Sequence, residues 1–549
     1  MKRIYFLAFF IILYISSYSQ QKFWVTFKDK NQSNFSLDKP EEFLSPKSVE
    51  RRFRQGIPIV ENDLPISETY INEIKNIAPN IIHASKWLNA ISVELKSKEQ
   101  YDAIKNLPFV KNISIVNTYK NLDKSTIASK DEPIITIGAP TFDANKYGQG
   151  HNQIKMISID TLHALGYTGK GMDIAVFDAG FINADKLDFF DIARNDERIV
   201  PVWNFVDNNN RVYIRSGHGM NVLSVMCANI PNTFIGAAPD AKYYLFITED
   251  SYSETIVEED NWVAAAEKAD SIGVDIFNTS LGYTQYDDTS TSHTYGSMNG
   301  DSTTITRAAN IAASKGILVV NSAGNEGNSS WRYISAPADG DSVFTIGAVN
   351  ENGLLAGFSS RGPNSSGHLK PNVCGQGANI IVASNNNSVV ARSNGTSFSS
   401  PLIAASSACL WQAFPNKTSS QIFHEIEKSA HLYTNPNYDY GFGIPNFYKA
   451  YKKMELEYNQ QNPTTSLPKV YPNPFRNGFT ILWNSTSESP LSIRIFNSIG
   501  QSISDETIQV PANQFSRIYI NNIAEKDAGH YTLQILQDKK SYTYPLIKY

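Results

Sequence analysis

Cysteine is scarce in this chain: 549 residues carry three, Cys227, Cys374 and Cys409. So few exclude a disulfide scaffold, and an odd number leaves at least one thiol unpaired. No His and Cys residues fall at zinc spacing, which excludes a structural zinc module. A dominant charge is also missing. Lys and Arg total 48 against 53 Asp and Glu, a net charge of −5. That balance gives no electrostatic reason to expect nucleic acid or an anionic membrane as partner. No Asp-rich loop stands out to name calcium ligands. The N-terminal apolar stretch, Ile4 to Ile15, is shorter than the ~20 residues a transmembrane helix needs. It follows Lys2-Arg3 and precedes Ser17-Tyr18-Ser19. A charged start, a short apolar run and small residues at −3 and −1 read as a signal peptide over 1–19, leaving Gln20 first.

What is present suits a large enzyme of several units. Apolar residues make up 41% and aromatics 12%. The length predicts three or four units of roughly 150 residues. The most informative segment is Asn394-Gly395-Thr396-Ser397-Phe398-Ser399-Ser400-Pro401, which runs into Leu402-Ile403-Ala404-Ala405. A tight turn leads into a helix apolar nearly all round, hence buried. Pro401 is expected in its first turn, where a missing N–H is harmless. Ser397 then sits at a helix N-terminus, which favours developing negative charge. Two further segments matter. Met172 to Gly180 is a short apolar run with Asp178 near its end, the pattern of a buried parallel strand. Ser216-Gly217-His218-Gly219 opens a helix in which Val222, Val225 and Met226 are spaced to face a core. A serine hydroxyl needs a base, and an imidazole needs a carboxylate to fix its tautomer. Asp178, His218 and Ser397 offer all three groups in the order Asp, His, Ser.

That order and those motifs resemble the subtilisin-like serine peptidases, the S8 family or subtilases, from about Tyr147 to Tyr451. The resemblance implies an α/β fold with a doubly wound parallel sheet. It gives Asp178, His218 and Ser397 the triad roles, and Asn325, in Asn321-Ser322-Ala323-Gly324-Asn325, the side-chain donor of the oxyanion hole. It makes Ser280-Leu281-Gly282 and Ala323-Gly324 the backbone walls that bind substrate. It implies no cofactor. A structural calcium is common in such enzymes, but no ligands are named here. The family's usual His-Gly-Thr-His becomes His218-Gly219-Met220-Asn221, Met-Ala after the serine becomes Phe398-Ser399, and Ala-Pro-Gly becomes Gly375-Gln376-Gly377. None removes a charge or donor the chemistry needs. A lipase-like esterase is disfavoured, because Ser397 does not stand in Gly-x-Ser-x-Gly. The alternative to an endopeptidase is a catalytically silent, surface-displayed binding protein on the same scaffold.

The flanks read as separate modules. Residues 20–119 pattern as β-α-β-α-β, with Phe23 to Phe27, a single strand-rich stretch Ile81 to Leu95, and Val110 to Val116 as strands. This resembles the inhibitor-like subtilase propeptide, an α+β ferredoxin-like fold, which implies a folding aid and inhibitor for the enzyme's own active site. Its Arg51-Arg52-Phe53-Arg54 reads as either a contact surface or, by default, a solvated charged face. Residues 120–146 and 453–468 are expected as linkers on either side of a peptidase domain over 147–452. Residues 283–304, rich in Asp, Ser and Thr, look like an insertion beside the groove, either a restriction or a solvated loop. Residues 469–549 hold short alternating strands, a small β-sandwich. Val470-Tyr471-Pro472-Asn473-Pro474, Asn497-Ser498-Ile499-Gly500-Gln501 and the Lys548-Tyr549 end resemble the type A sorting domain read by the type IX secretion system. The resemblance implies outer-membrane secretion machinery as a partner and an extracellular or cell-surface location. Protein or peptide substrates, no nucleic acid and a monomer complete the expectation.

Overall fold

The computed structural model describes residues 21–31, 33–118, 135–136, 146–461, 468–471, 473–476, 478–485, 487–511 and 515–549. The expected signal peptide and most of the 120–146 linker lie outside these. The contacts divide the chain into one unit ending at Met454 and a second beginning at Glu455.

The first unit is organised by a parallel sheet. Its seven strands lie in the order Val373–Gln376, Phe344–Val349, Leu318–Ser322, Ile276–Thr279, Asp173–Asp178, Lys242–Ile247, Ile199–Asn204, and every pairing is parallel. Alternation along one strand shows why the sheet is double-faced. Ile174 and Val176 enter the core around the helices His218–Cys227 and Thr396–Ala413. Ala175 and Phe177 enter the core around Val257–Ile272 and Thr304–Ser314. A strand's side chains alternate, so burial on both sides demands an apolar run, as the sequence shows. Thr396–Ala413 is buried along its whole length. All three cysteines are free and buried, as small apolar groups. No helix among the described residues is long and apolar enough to cross a membrane.

Residues 21–118 form an antiparallel sheet in the order Ile81–Ser85, Ala90–Leu95, Gln21–Phe27, Val110–Thr118. This is the ferredoxin-like arrangement. The expected single strand from Ile81 to Leu95 is a hairpin instead, and Asn89 turns it at φ 48°. Helix Pro46–Gln55, not read from the sequence, carries Arg51 and Arg52, and both are buried, not solvated. The reason is the opposing helix, Val257–Ile272, whose Asp260, Glu267 and Asp270 are buried beneath the N-terminal sheet and helix. Arg51 and Arg52 both pair with Asp270, and Arg52 also reaches Asp63 at 2.8 Å. Lys22 pairs with Asp260 at 3.2 Å. Glu267 accepts from Ser85 Oγ at 2.6 Å and from the N–H groups of Lys86 and Trp87. Burial works to raise the Asp270 pKa, but Arg51, Arg52 and Lys86 outweigh it and hold it below the usual range. Asp260 has only Lys22 and Trp24 against its burial, which pushes it up to about 6.

Two linker expectations change. Ile135–Thr136 adds a short strand to Val390–Ser393. Helix Phe447–Gln461 runs into the segment expected to be irregular from 453, because Tyr451 and Met454 are buried on its inner face. The second unit is a sandwich. Lys469–Tyr471, Phe479–Asn484 and Phe515–Ile520 make one sheet, and Ser502–Ile508, Leu491–Asn497, Gly529–Gln537 and Lys540–Lys548 the other. Phe475, Phe479, Ile481, Trp483, Ile493, Ile495, Leu533 and Leu546 fill the space between. Ser502–Ile508 was not read as a strand, because its Ser, Asp, Glu and Thr residues leave little apolar alternation on a mostly exposed edge.

Removing one partner of a buried charge pair costs about 3–5 kcal/mol, against less than about 1 kcal/mol for an exposed pair. Asp270→Ala should therefore destabilise the precursor by several kcal/mol in urea titration. Asp102→Ala, which breaks the exposed Lys98 pair, should leave the midpoint nearly unchanged.

Candidate active site

The site forms where the parallel strands end. Ligand groups collect at the carboxyl edge of such a sheet because loops and helix N-termini converge there. Asp178 is the last residue of strand Asp173–Asp178 and is 1% exposed. Its Oδ1 accepts the N–H of Ala179 at 2.8 Å, which fixes the carboxylate. His218 begins its helix, and its N–H donates to Ser216 Oγ at 3.0 Å. Its Nδ1 lies 2.9 and 3.1 Å from the two Asp178 oxygens. A donated Nδ1–H there leaves Nε2 as the imidazole's acceptor. The close approach needs Gly219. A Cβ there would stand 2.4 Å from Gly180 O and 2.9 Å from Asp178 Cβ. The Phe398 ring packs 5.5 Å from the imidazole.

Ser397 is the second residue of helix Thr396–Ala413, and Pro401 lies four residues further on. Pro401 is thus past the first turn, contrary to the sequence expectation. Its missing N–H is the one that would bond Ser397 O. Ser280 Oγ donates to that carbonyl at 2.8 Å instead. Ser397 Oγ in turn donates to Ser280 O at 3.3 Å. Asn278 Nδ2 donates to Ser280 Oγ and Ser400 Oγ donates to Asn278 Oδ1, each at 3.0 Å. The helix that carries Ser397 is therefore tied to the sheet through buried, satisfied polar groups.

Asn325 is held from the same turn. Its Oδ1 accepts from Thr396 N–H and Thr396 Oγ1, both at 2.9 Å. With oxygen so placed, Nδ2 is the side chain's donor end. Gly324, at φ +105°, allows the turn; a Cβ would stand 2.9 Å from Ser360 Oγ.

One cleft is lined by His218, Ser397, Asn325, Ser280, Leu281, Gly282 and Gly324 together. Asp178 stands behind His218. Ala323 does not line it. It is fully buried beside Ile334 and Ala338, and its N–H donates to Ile346 O at 2.9 Å.

Ala179, Thr284, Ser322, Ser335, Thr396, Glu326, Glu249, Asp250, Ser251 and Glu254 also line the cleft and were not singled out from sequence. A signal existed for the acids: Glu249 and Asp250 follow strand Lys242–Ile247, which pairs with the Asp178 strand. Glu249, Glu254 and Glu258 each bring a carboxylate oxygen within 4.8 Å of the others, so they are the residues that could hold a cation. The 283–304 segment is packed, not a solvated loop. Tyr283, Tyr286 and Met298 are buried, and Tyr286 Oη donates to Glu259 at 2.6 Å.

Residues 169–443, half of the chain, match the model of the subtilase family. The chain belongs to the subtilase family. Residues 22–132 match the S8 peptidase propeptide domain of Bacteroidota, and 469–549 match the secretion system C-terminal sorting domain. Subtilisin DY of Bacillus licheniformis is 29% identical over 53% of this chain and 95% of its own length. Subtilisin E of Bacillus subtilis is 28% identical over 60% and 78%. The crystal structure of an epidermin leader peptide processing serine protease from Staphylococcus aureus shares the fold, with a TM-score of 0.52 and 18% identity over 79% and 99% of the two chains. This subtilase is therefore a serine peptidase with a propeptide and a secretion sorting domain, and it is exported.

Ser280→Ala should leave Ser397 O without its donor, at a cost of about 1–3 kcal/mol. Turnover should fall with the Ser397 helix less firmly placed, while Ser280→Thr, which keeps the hydroxyl, should retain most of it. Urea melts and steady-state kinetics on one peptide read both effects.

Proposed function

We propose that this subtilase is an endopeptidase in which Ser397 is the nucleophile, His218 the base and then the acid, and Asp178 the group that orients the imidazole. Ser397 Oγ attacks the scissile carbonyl while His218 Nε2 takes its proton. The tetrahedral oxyanion is met by Asn325 Nδ2. His218 then gives the proton to the leaving amine, and water, deprotonated by His218 in turn, hydrolyses the acyl-enzyme. Every proton in this scheme moves between side chains and substrate, so the reading calls for no cofactor. The observation that carries it is the pair of short contacts from a buried Asp178 to His218, in a cleft that Ser397 and Asn325 also line. The backbone of Ser280, Leu281, Gly282 and Gly324 is the surface we assign to substrate main chain.

We also infer that residues 21–119 assist folding of the peptidase, inhibit it, and are cut away by the enzyme itself within 117–150. Support comes from the buried charge pairs that this segment makes with helix Val257–Ile272, and from the slow folding expected of a parallel sheet. The sorting domain is expected to direct passage across the outer membrane.

Ser397→Ala should abolish cleavage of any peptide and leave the precursor at full length when no other protease is present. A purified Ser397→Ala protein that matures to wild-type size contradicts self-processing; one that still cuts peptides contradicts the nucleophile assignment. Asn325→Ala should lower turnover about 10²–10³-fold with KM nearly unchanged, the range known for such a donor in a subtilisin. A raised KM at unchanged turnover would mean that Asn325 only holds substrate.

A further inference from the structure

One end of the cleft is acidic. Glu249, Asp250 and Glu254 line it, and among the described residues no Lys or Arg lines the cleft. Asp250 is already matched by Arg215, at 2.7 Å. Glu249 and Glu254 are joined from beneath by Glu258, with carboxylate oxygens of all three within 4.8 Å. Like charges that close repel, and a cation among them would relieve the repulsion. Burial and the charges of Glu258, Glu249 and Glu254 drive the neighbouring Tyr283 phenol well above its usual range, which agrees with negative charge gathered there. A separate feature points to a ligand. Ser251, 5% exposed, lines the same cleft, and its Oγ has no hydrogen-bond partner. A buried hydroxyl left unmatched costs free energy unless something fills the place.

We propose that Glu249, Glu254 and Glu258, with the Ser251 hydroxyl, form a subsite that takes a lysine or arginine side chain of the substrate. This rests on the reading of the cleft as a peptide-cleaving site and names its substrate class. The chemistry matches an organic cation better than a metal ion. An ammonium carries three donors and a guanidinium five, so carboxylates and a neutral hydroxyl can all accept at once. Calcium demands six to eight oxygens at about 2.3–2.6 Å. Here Glu258 already accepts from Thr255 N–H at 3.0 Å and from Tyr283 Oη at 3.4 Å. Arg215 on Asp250 shows a guanidinium settled in the same acidic wall. A basic side chain bound there would also fix the register of the peptide against Ser397. The selection would then be made by charge, where backbone-lined walls offer little discrimination.

The test uses the wild-type enzyme as secreted and a series of internally quenched peptides. Each position flanking the scissile bond carries in turn lysine or norleucine, which has the same chain length without the ammonium. At one fixed position lysine should exceed norleucine in kcat/KM by about tenfold or more, and the advantage should shrink as salt is raised. Glu249→Gln with Glu254→Gln should bring that ratio towards one. A wild-type ratio near one at every position overturns the subsite. So does a calcium-dependent rise in melting temperature that these two substitutions abolish without any lysine preference, since the carboxylates would then hold a metal. In either case, labelling of Ser397 by a fluorophosphonate and cleavage of the peptides leave the peptidase reading intact. No labelling and no cleavage of any peptide would overturn that reading, and the subsite with it.

Discussion

A missing hydrogen bond holds the site together. Pro401 cannot donate to Ser397 O, and inside a helix such a loss costs several kcal/mol if nothing replaces it. Ser280 Oγ replaces it at 2.8 Å. The nucleophile's helix is thereby tied to the loop that follows strand Ile276–Thr279, and that loop also walls the cleft. Asn278 and Ser400 extend the link into the buried interior. The turn before the helix is held by another pair, Thr396 with Asn325. Ser397 is thus positioned from the front by the residue that also presents an amide to the cleft, and from the side by the residue that flanks the substrate. A helix with an unbroken hydrogen-bond ladder would have no unmatched carbonyl for the loop to satisfy.

Much of this could be read from sequence because the governing patterns are local. Asp178 at the end of an apolar run, His218 opening a helix and Ser397 after a glycine turn are each visible within ten residues. The parallel sheet follows from apolar runs that need burial on two faces. What could not be read depended on partners far along the chain. Arg51 and Arg52 could not be assigned to a contact over a solvated face because their partner, Asp270, is more than two hundred residues away. Val257–Ile272 mixes acids with apolar residues, and its Asp260 and Asp270 are buried against cations that the N-terminal segment supplies. Pro401 was placed one turn too early because a local rule for helix starts hid the donor at Ser280. Ala323 was assigned to the cleft as part of a motif, but it is buried beside Ile334 and Ala338. The acidic end of the cleft went unnoticed although Glu249, Glu254 and Glu258 lie within ten residues, because only the loop and helix after strand Lys242–Ile247 fold them together.

The departures from the usual family motifs are absorbed locally. Phe398 packs on the His218 ring and is buried. Asn221 donates to Ala383 O at 2.6 Å, inside the fold. Gln376 accepts from Asn152 at 2.9 Å. Each changed residue therefore does structural work behind the cleft and leaves its chemical groups in place, which is why a chain below 30% identity to subtilisin DY keeps the arrangement.

The contact between the N-terminal segment and helix Val257–Ile272 is built from charges, and that choice has consequences. Desolvating an ion pair roughly offsets its attraction, so such a contact adds little net stability while it rejects any wrong docking strongly. An apolar interface of the same extent would bind more firmly, but its loss would leave a large exposed patch on the enzyme. Were the segment to leave, Asp260, Glu267 and Asp270 would become hydrated carboxylates, and the peptidase would keep a polar surface there. Asp260 adds a graded element. Its pKa, up to about 6 when buried, exceeds that of a solvated carboxylate, so the buried state takes up a proton more readily than the free one. By linkage its contribution to the contact is full below the ordinary carboxylate range and is lost as pH rises through about 6. His83 works in the opposite sense. Burial and Lys22 hold it down to about 4, so its contribution is full above its ordinary pKa and is lost as pH falls towards 4. Two groups on one interface thus bend its pH dependence in contrary directions. Their opposed slopes partly cancel where the two ranges overlap.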